Sequence, residues 1–166
     1  MSNGTKVKKR DGRIESLDLD KMHLMVDEAC QGLAGVSASQ VEMKSGIQFY
    51  DGITTAEIQE ILIKSASDLI DLDHPNYQFV AARLLLFALR KQLFGRMREF
   101  PSLSDHITKL AYDDVYDKDI FTKYSIEEIK KAEGFIDNDR DFLFTYAGLR
   151  QVVDKYLVQD RSSGEV

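Results

Sequence analysis

The stretch "VKKRDGRIESLDLDK", residues 7–21, combines the signal for a tight turn with the signal for a helix start. The dipeptide Asp11-Gly12 is typical of a two-residue β-hairpin turn, in which both central residues take a positive φ. Asp18 is a suitable N-cap for a helix that follows at once. The stretch therefore predicts a hairpin that leads directly into a first helix. The apolar anchors of this hairpin would be Val7, Ile14 and Leu17.

Apolar residues at helical spacing continue beyond this stretch. The predicted stripe of the first helix is Leu19, Met22, Val26, Ala29, Cys30 and Leu33. A second helix is predicted to begin near Ser39, which has capping-box spacing to Glu42, and to stop at the "DG" of residues 51–52. The predicted apolar side of this second helix is Val41, Ile47 and Tyr50.

Two further helices complete the first half of the chain. The third is predicted to begin at "TTAEIQE", where Thr54 and Glu57 form another capping box. Its predicted buried stripe is Ile58, Ile61, Leu62, Ser65, Leu69 and Ile70. The fourth helix, "NYQFVAARLLLFALRKQLFG", follows Pro75 and ends at Gly95. Because it is apolar on most sides, we expect it at the centre of the fold.

The composition changes after Gly95. A linker, "RMREFPSLSDH", leads into a helix at Pro101 or Ser102. Two short helices follow in "YDKDIFTKYSIEEIKKAEGFI", the second capped by Ser125 with Glu128, and "RDFLFTYAGLRQVVDKYL" is predicted as one helix. The last residues, "YLVQDRSSGEV", predict a strand, a turn at 163–164 and the first residue of a return strand. We expect that a further segment follows, on this chain or on another.

The predicted fold class is mainly α (α+β). A short N-terminal β-hairpin plus a four-helix bundle would occupy residues 1–95. An incomplete helical segment over residues 96–166 would end in the start of a β-hairpin.

Composition excludes several classes of protein. No apolar run approaches the ~18 residues of a membrane span, and no apolar signal-peptide segment follows the basic N-terminus, so we expect a cytoplasmic protein without a membrane partner. The single cysteine, Cys30, rules out an internal disulfide and a cysteine-rich zinc site. His23, His74 and His106 lack the spacing of metal ligands, and no nucleophile–base pair is evident.

Positive charge is concentrated at one end of an acidic chain. The first thirteen residues carry five basic side chains and one acidic side chain, a net +4, so the remaining residues sum to −10 within a total of −6. Binding to nucleic acid usually needs a broad basic face, which this distribution does not offer. A small anionic ligand at one basic spot fits the distribution better.

A nucleoside triphosphate is such a ligand. Lys9 and Lys21 flank the start of the first helix, where the helix dipole and free N–H groups also favour phosphate. Lys91 ends the central helix, and Thr55 offers a hydroxyl at the start of the third. A structural interpretation stands beside this one. A basic hairpin is commonly a solvated surface, and neither a Walker A loop nor a G-x-G-x-x-G motif is present.

Two acidic residues near the lysines also have two interpretations. Glu15 and Asp18 could accept hydrogen bonds from a base amino group or a ribose hydroxyl. Asp18 could equally be only an N-cap.

Three separated blocks, "VKKRDGRIESLDLDK", "DGITTAEIQEILIKSASDLI" and "PNYQFVAARLLLFALRKQLFG", resemble in order and spacing the ATP-cone. This is the allosteric domain at the N-terminus of many ribonucleotide reductase large subunits. The block "FIDNDRDFLFTYAGLRQVVDKYLVQDRSSGEV" resembles the helical stretch that leads into the catalytic barrel of the class I, diphosphate-reducing type. The whole is most similar to the large (alpha) subunit of bacterial or bacteriophage class Ia ribonucleoside-diphosphate reductase.

The resemblance implies a function and a set of residues. In the family, the cone binds ATP as activator or dATP as inhibitor, with magnesium, and so regulates deoxyribonucleotide synthesis by changing subunit assembly. The three lysines would hold the phosphates with Arg10 beside them, and residues 15–18 would line the base and sugar. The positions that match the family's nucleotide contacts are Lys9, Arg10, Glu15, Ser16, Leu17, Asp18, Leu19, Asp20, Lys21, Thr55 and Lys91.

Departures from the family leave alternatives open. Relatives often carry histidines where this chain has Gln59 and Ala88, and asparagine where it has Asp18, so discrimination between ATP and dATP is an open point. The family's chemistry needs a redox cysteine pair and a radical cysteine, so this chain by itself is not expected to be an enzyme. The expected partners are the remaining catalytic part of the large subunit and the small radical-generating subunit.

Two other functions compete with the effector site. One is a degenerate cone kept as a helical subunit-interaction module without nucleotide binding. The other is a nucleic-acid-binding regulator, which the charge distribution and the single cysteine disfavour.

Overall fold

The computed structural model describes residues 5–98 and 100–158. Its small sheet has the order β2-β1-β3, formed by β1 (Lys6–Lys8), β2 (Ile14–Ser16) and β3 (Ile53–Thr54). β1 and β2 pair antiparallel, with Val7 opposite Glu15. β3 was not predicted, because two residues are too short for any periodicity. It exists through a distant pairing, parallel to β1, in which Val7 lies opposite Ile53.

The hairpin turn differs from the two-residue turn that the sequence predicts. The amide of Lys9 donates to the carbonyl of Arg13 at 2.8 Å, so three residues form the loop. Gly12 takes a φ of 85°, whereas Asp11 has no positive φ. Asp11 instead accepts a hydrogen bond from the backbone of Arg13 at 3.1 Å. The longer loop needs one left-handed residue instead of two, and a single glycine supplies it.

Helices make up most of the described chain, which confirms the predicted mainly α fold class. Their bounds are α1 (Leu19–Cys30), α2 (Ala38–Gly46), α3 (Thr55–Ser67), α4 (Tyr77–Phe94), α5 (Leu103–Tyr112), α6 (Ile120–Lys123), α7 (Ile126–Glu133), a 3₁₀ helix (Asn138–Leu143) and α8 (Tyr146–Lys155). The predicted N-caps at Asp18, Thr54 and Ser125 are confirmed, the last two as full capping boxes, and the helix predicted to start at Pro101 or Ser102 has Ser102 as its N-cap. Gly95 ends α4 in the left-handed conformation, with a φ of 70°.

The core surrounds α4, as its composition predicts. Tyr77 and Phe87 of α4 are among the largest fully buried side chains, and α1, α3 and β1 add to the same cluster. α8 also packs on α4 through Leu149 and Val153. The helical segment after residue 95 therefore shares a core with the first half of the chain. The division of the chain at residue 95 remains a prediction.

The prediction for α2 was wrong in its cap and its apolar side. Ser37, not Ser39, is the N-cap, and its side chain makes no capping bond. α2 ends at Gly46, before the predicted stop, so Ile47 and Tyr50 lie outside it and are exposed. Tyr50 donates its hydroxyl to Glu57 of α3 at 2.8 Å, which holds the ring at the surface.

The buried face of α3 is wider than predicted. α3 packs against both α2 and α4, so Gln59, Ile63 and Ala66 are buried along with Ile58 and Leu62. α3 ends at Ser67, so the last two residues of the predicted stripe fall beyond it, and the second of them is exposed. Two other residues that were expected to face the core are also exposed. They are Ile14 and Leu19.

The helix predicted over "RDFLFTYAGLRQVVDKYL" is two helices. Phe144 is extended, with a ψ of 137°, and separates the 3₁₀ helix from α8. Thr145 then caps α8 by accepting a hydrogen bond from the Gly148 amide at 3.2 Å. Competition by a threonine side chain for a backbone donor is the local cause of the break. Residues 156–158 form a turn and coil, and the rest of the predicted C-terminal hairpin lies outside the described residues.

Candidate functional site

A cavity of about 320 Å³ lies between the hairpin, one face of α1, the first turn of α3 and the last turn of α4. It is thus bounded by elements that are distant in the sequence but share the core around α4. The lining residues are Val7, Lys9, Ser16, Leu17, Asp18, Lys21, Met22, Leu24, Met25, Glu28, Thr55, Ile58, Gln59, Lys91 and Met97.

Seven of the eleven residues singled out from the sequence line this cavity. They are Lys9, Ser16, Leu17, Asp18, Lys21, Thr55 and Lys91. The other four do not line it. Arg10 donates its Nη1 to the carbonyl of Lys91 at 3.1 Å and so ties the hairpin to α4. Glu15 pairs with Lys9 at 3.5 Å and Arg13 at 3.3 Å, while Leu19 and Asp20 are exposed in the first turn of α1.

Positive charge accumulates around Lys91. This side chain is half-buried, and burial is the main cause of the lowered pKa of its ammonium group, followed by the nearby charges of Arg10, Lys9 and Lys21. Within the described part of the chain, no carboxylate lies within 4 Å of the Lys91 ammonium. Four cations therefore converge here, and no carboxylate among the described residues offsets the charge of the half-buried Lys91.

Asp18 has a structural role that the sequence predicted. Its Oδ1 accepts a hydrogen bond from the backbone amide of Lys21 at 3.0 Å, which caps α1. Its Oδ2 lies 3.3 Å from the Lys21 ammonium. These contacts lower the pKa of the Asp18 carboxyl, the backbone hydrogen bond most of all. Asp18 therefore both starts α1 and holds Lys21 at the cavity.

The two adjacent threonines at the start of α3 have different roles, one as the helix cap and the other as part of the cavity lining. Thr54 is fully engaged with Glu57, donating its hydroxyl to the carboxylate at 2.7 Å and accepting from the Glu57 amide at 3.1 Å. Thr55 is the first residue of α3 and lines the cavity. The Thr54 capping bond thus fixes the start of α3 and with it the position of Thr55 at the cavity.

Sequence reasoning did not identify several of the residues that line the cavity. Met22, Met25 and Glu28 of α1 line the cavity, but periodicity identified Met22 only as a core residue and did not mark Met25 or Glu28. Gln59, which the sequence marked only as a departure from the family, also lines the cavity; it is only 8% exposed, and its amide makes no hydrogen bond within the described residues. Met97 comes from beyond the predicted boundary at residue 95, and no sequence signal marked it.

Other chemistry finds little support in the described residues. Over residues 5–98 and 100–158, no group of three or more His, Cys, Asp or Glu side chains is placed to hold a metal ion. Burial is the main cause that raises the pKa of the Cys30 thiol to about 11, so it stays protonated at neutral pH. None of the described helices is long and apolar enough to cross a membrane.

Comparison with known families gives one match, to the ATP cone domain, over residues 5–92. Curated relatives extend the similarity to the whole chain. It is 49% identical over its 166 residues to ribonucleoside-diphosphate reductase 1 subunit alpha of Escherichia coli (strain K12), covering 22% of that protein. It is 47% identical over the same length to the subunit alpha of Haemophilus influenzae (strain ATCC 51907 / DSM 11121 / KW20 / Rd), again covering 22%.

A phage relative shows the same pattern. The chain is 40% identical over 160 residues, 95% of its length, to the ribonucleoside-diphosphate reductase subunit alpha of Enterobacteria phage T4, covering 21% of that protein. The similarity lies in the N-terminal region of these subunits. The chain spans about a fifth of the length of the curated relatives it matches.

Proposed function

This chain belongs to the ATP-cone family, and from that membership we propose that its cavity binds an adenine nucleotide as an allosteric effector. The observation that carries the proposal is the convergence of Lys9, Lys21 and Lys91 with Thr55 on one end of the cavity. A triphosphate brings three to four negative charges to a place where positive charge is poorly compensated. Thr55 and the amides of the first turn of α3 add donors beside the lysines.

Each proposed nucleotide residue has a distinct part. Lys91 binds phosphate directly, since it is half-buried and no carboxylate of the described residues pairs with it. Lys9 and Lys21 also bind phosphate, and in doing so they give up their ion pairs with Glu15 and Asp18. The two carboxylates can then accept hydrogen bonds from the base or the sugar. Magnesium would accompany the triphosphate and offset the charge that the lysines do not reach. Arg10 acts through Lys91, because it fixes the turn that carries this lysine.

Four other residues complete the proposed contact set. Ser16 and Leu17 line the cavity. Leu19 and Asp20 contribute backbone amides from the first turn of α1 rather than side chains.

The proposed role is regulation of a ribonucleoside-diphosphate reductase, with ATP as activator and dATP as inhibitor. We propose that the chain catalyses no reduction by itself and acts with two partners, the catalytic remainder of the large subunit and the radical-generating small subunit. Support comes from the family match and from 40–49% identity to subunits of that name.

Thermal melting with ATP, dATP and GTP tests the effector site. A nucleotide at one hundred times its Kd stabilises the folded state by about 2.7 kcal/mol, which corresponds to about 5–10 °C in Tm for a chain of this size. We expect this shift with ATP and dATP, and its loss in Lys91→Ala. Lys118→Ala is the matched control, because Lys118 pairs with Asp114, remote in sequence from the cavity lining, and is exposed. Equal shifts in both variants would contradict the proposed site.

A second candidate function is a subunit-interaction module without nucleotide. Large apolar side chains exposed in the segment after α4 favour it, since such patches commonly mark interfaces. Among these residues are Tyr112, Val115, Tyr124, Phe135, Ile136 and Leu143. Normal folding with no Tm shift from any nucleotide would favour this module over the effector site.

A further inference from the structure

The segment that follows α4 forms one wall of the cavity. Gly95 reverses the chain in a left-handed conformation. Met97 then lines the cavity and packs against the apolar core, and Arg98 places its Nη2 2.7 Å from the Oε2 of Glu28 on α1. We name residues 95–98 the strap and the ion pair between Arg98 and Glu28 the latch.

The strap separates the cavity from a second one. Glu28 lines both, and the second cavity, about 350 Å³ in volume, is also lined by Arg98 and Phe100. On that far side Arg90 is only 6% exposed and donates its Nη2 to Asp141 at 2.7 Å. Its guanidinium lies 4.5 Å from the centre of the Phe100 ring. The strap therefore lies between the effector cavity and a packed network that includes the 3₁₀ helix.

We propose that the strap closes the effector cavity, that the latch holds it closed, and that a bound nucleotide stabilises this closed position. The inference rests on the proposed function and adds its route of regulation. Met97 forms part of the cavity wall, so a ligand in the cavity contacts it only while the strap keeps this position. A ligand that binds one position better shifts the population towards it. Occupancy is thereby transmitted to Phe100 and the 3₁₀ helix.

The latch is suited to reversible opening. Arg98 is mostly exposed, at 71%, whereas Glu28 is 19% exposed. An ion pair with one partner in water contributes little to stability, so its opening is not costly. Glu28 lies about two helical turns beyond Lys21 on α1, and its ion pair with Arg98 leaves that end of the cavity without net charge.

Nucleotide release and amide exchange test the latch. In Arg98→Gln we expect the release rate of a fluorescent ATP analogue, methylanthraniloyl-ATP, to rise about two- to five-fold, as the small free energy of such a pair predicts. Exchange of the amides of residues 96–98 should be faster in this variant without nucleotide. In the wild type, ATP should slow it.

Matched variants separate the latch from a general effect of charge. Glu28→Gln should reproduce the effect of Arg98→Gln, and the double variant should be no worse than either. Lys118→Gln should leave release unchanged, because its ion pair with Asp114 is remote in sequence from both cavity linings. Wild-type binding with unchanged release and exchange in the latch variants overturns the inference alone. No binding by the wild type overturns the proposed function and the inference with it.

Discussion

The two ends of the cavity arrange charge in opposite ways. At the hairpin end, the half-buried Lys91 shares its surroundings with three other cations and has no carboxylate within 4 Å in the described residues. At the strap end, Glu28 and Arg98 are paired at 2.7 Å, beside Met25 and Met97. The hairpin end thus has an excess of positive charge that a bound anion would neutralise, whereas the charges at the strap end already neutralise each other. The difference fixes the direction in which a charged ligand would lie.

Reversing the charge at the hairpin end should have the largest effect. Lys91→Glu would replace the proposed charge-assisted hydrogen bond to phosphate with repulsion, so we expect ATP affinity to fall on the order of 100-fold or more. Titration calorimetry measures it, with Lys118→Glu as the control for overall charge. If both variants lost affinity equally, net charge rather than the site would govern binding, and the contrast between the two ends would have no functional meaning.

Neutralising the same lysine should stabilise the ligand-free protein. Lys91→Met keeps the buried stem but removes a cation that burial and like charges disfavour, so its Tm at pH 7 should exceed that of the wild type. The pKa of Lys91 is lowered in the folded state. The unfolded chain then binds more protons, so wild-type stability rises with pH towards the ordinary lysine pKa of about 10.4.

The Tm difference should therefore be full below the folded-state pKa of Lys91 and shrink as the pH approaches about 10.4. Melting curves of both proteins at a series of pH values measure it. A Tm difference that did not change with pH would show that packing, not charge, is its cause.

Much of the fold was predictable because its signals are local. The caps at Asp18, Thr54 and Ser125 follow from a few neighbouring residues, and the apolar composition of α4 places it at the centre. β3 and the break at Phe144 were not predictable. The first exists only through pairing with β1, and the second depends on one side chain that competes with a continuous helix.

The candidate site also has one part that the sequence predicts and another that it does not. Lys21, Thr55 and Lys91 carry a charge or a hydroxyl near helix ends and Lys9 carries a charge on the hairpin, and elementary electrostatics singles them out. The strap end could not be predicted, because Glu28 looks like an ordinary helix-surface acid. Its partner lies 70 positions away, and only the tertiary structure brings the two together.

Removing the cap at the hairpin end should have a moderate effect. Asp18→Ala loses the bond to the Lys21 amide that starts α1 and frees the Lys21 side chain, so we expect Tm to fall by roughly 2–4 °C. Asp18→Asn retains a capping oxygen, so its Tm should fall less. Because the pKa of Asp18 is lowered in the folded state, its contribution is present at neutral pH and is lost as pH falls through that folded-state value.

Melting at pH 7 and at pH 3 measures this dependence on Asp18. The gap between wild type and Asp18→Ala should narrow at the lower pH. An equal fall in Tm for Asp18→Asn and Asp18→Ala would mean that the charge of Asp18, and not its capping hydrogen bond, stabilises the fold.

The smallest effect should come from Gln59, which lines the cavity without a hydrogen bond in the described residues. Gln59→Leu removes an amide that burial penalises, but this amide still reaches the cavity, so the ligand-free Tm should rise by only about 1–2 °C. The extra stabilisation by ATP should shrink, because a group that could pair with the nucleotide is gone. Melting with and without ATP separates the two changes. Gln48→Leu on the surface is the control. If Gln59→Leu lowered Tm instead, the amide would already have a partner, and the hairpin end would be less open to a ligand than its charges suggest.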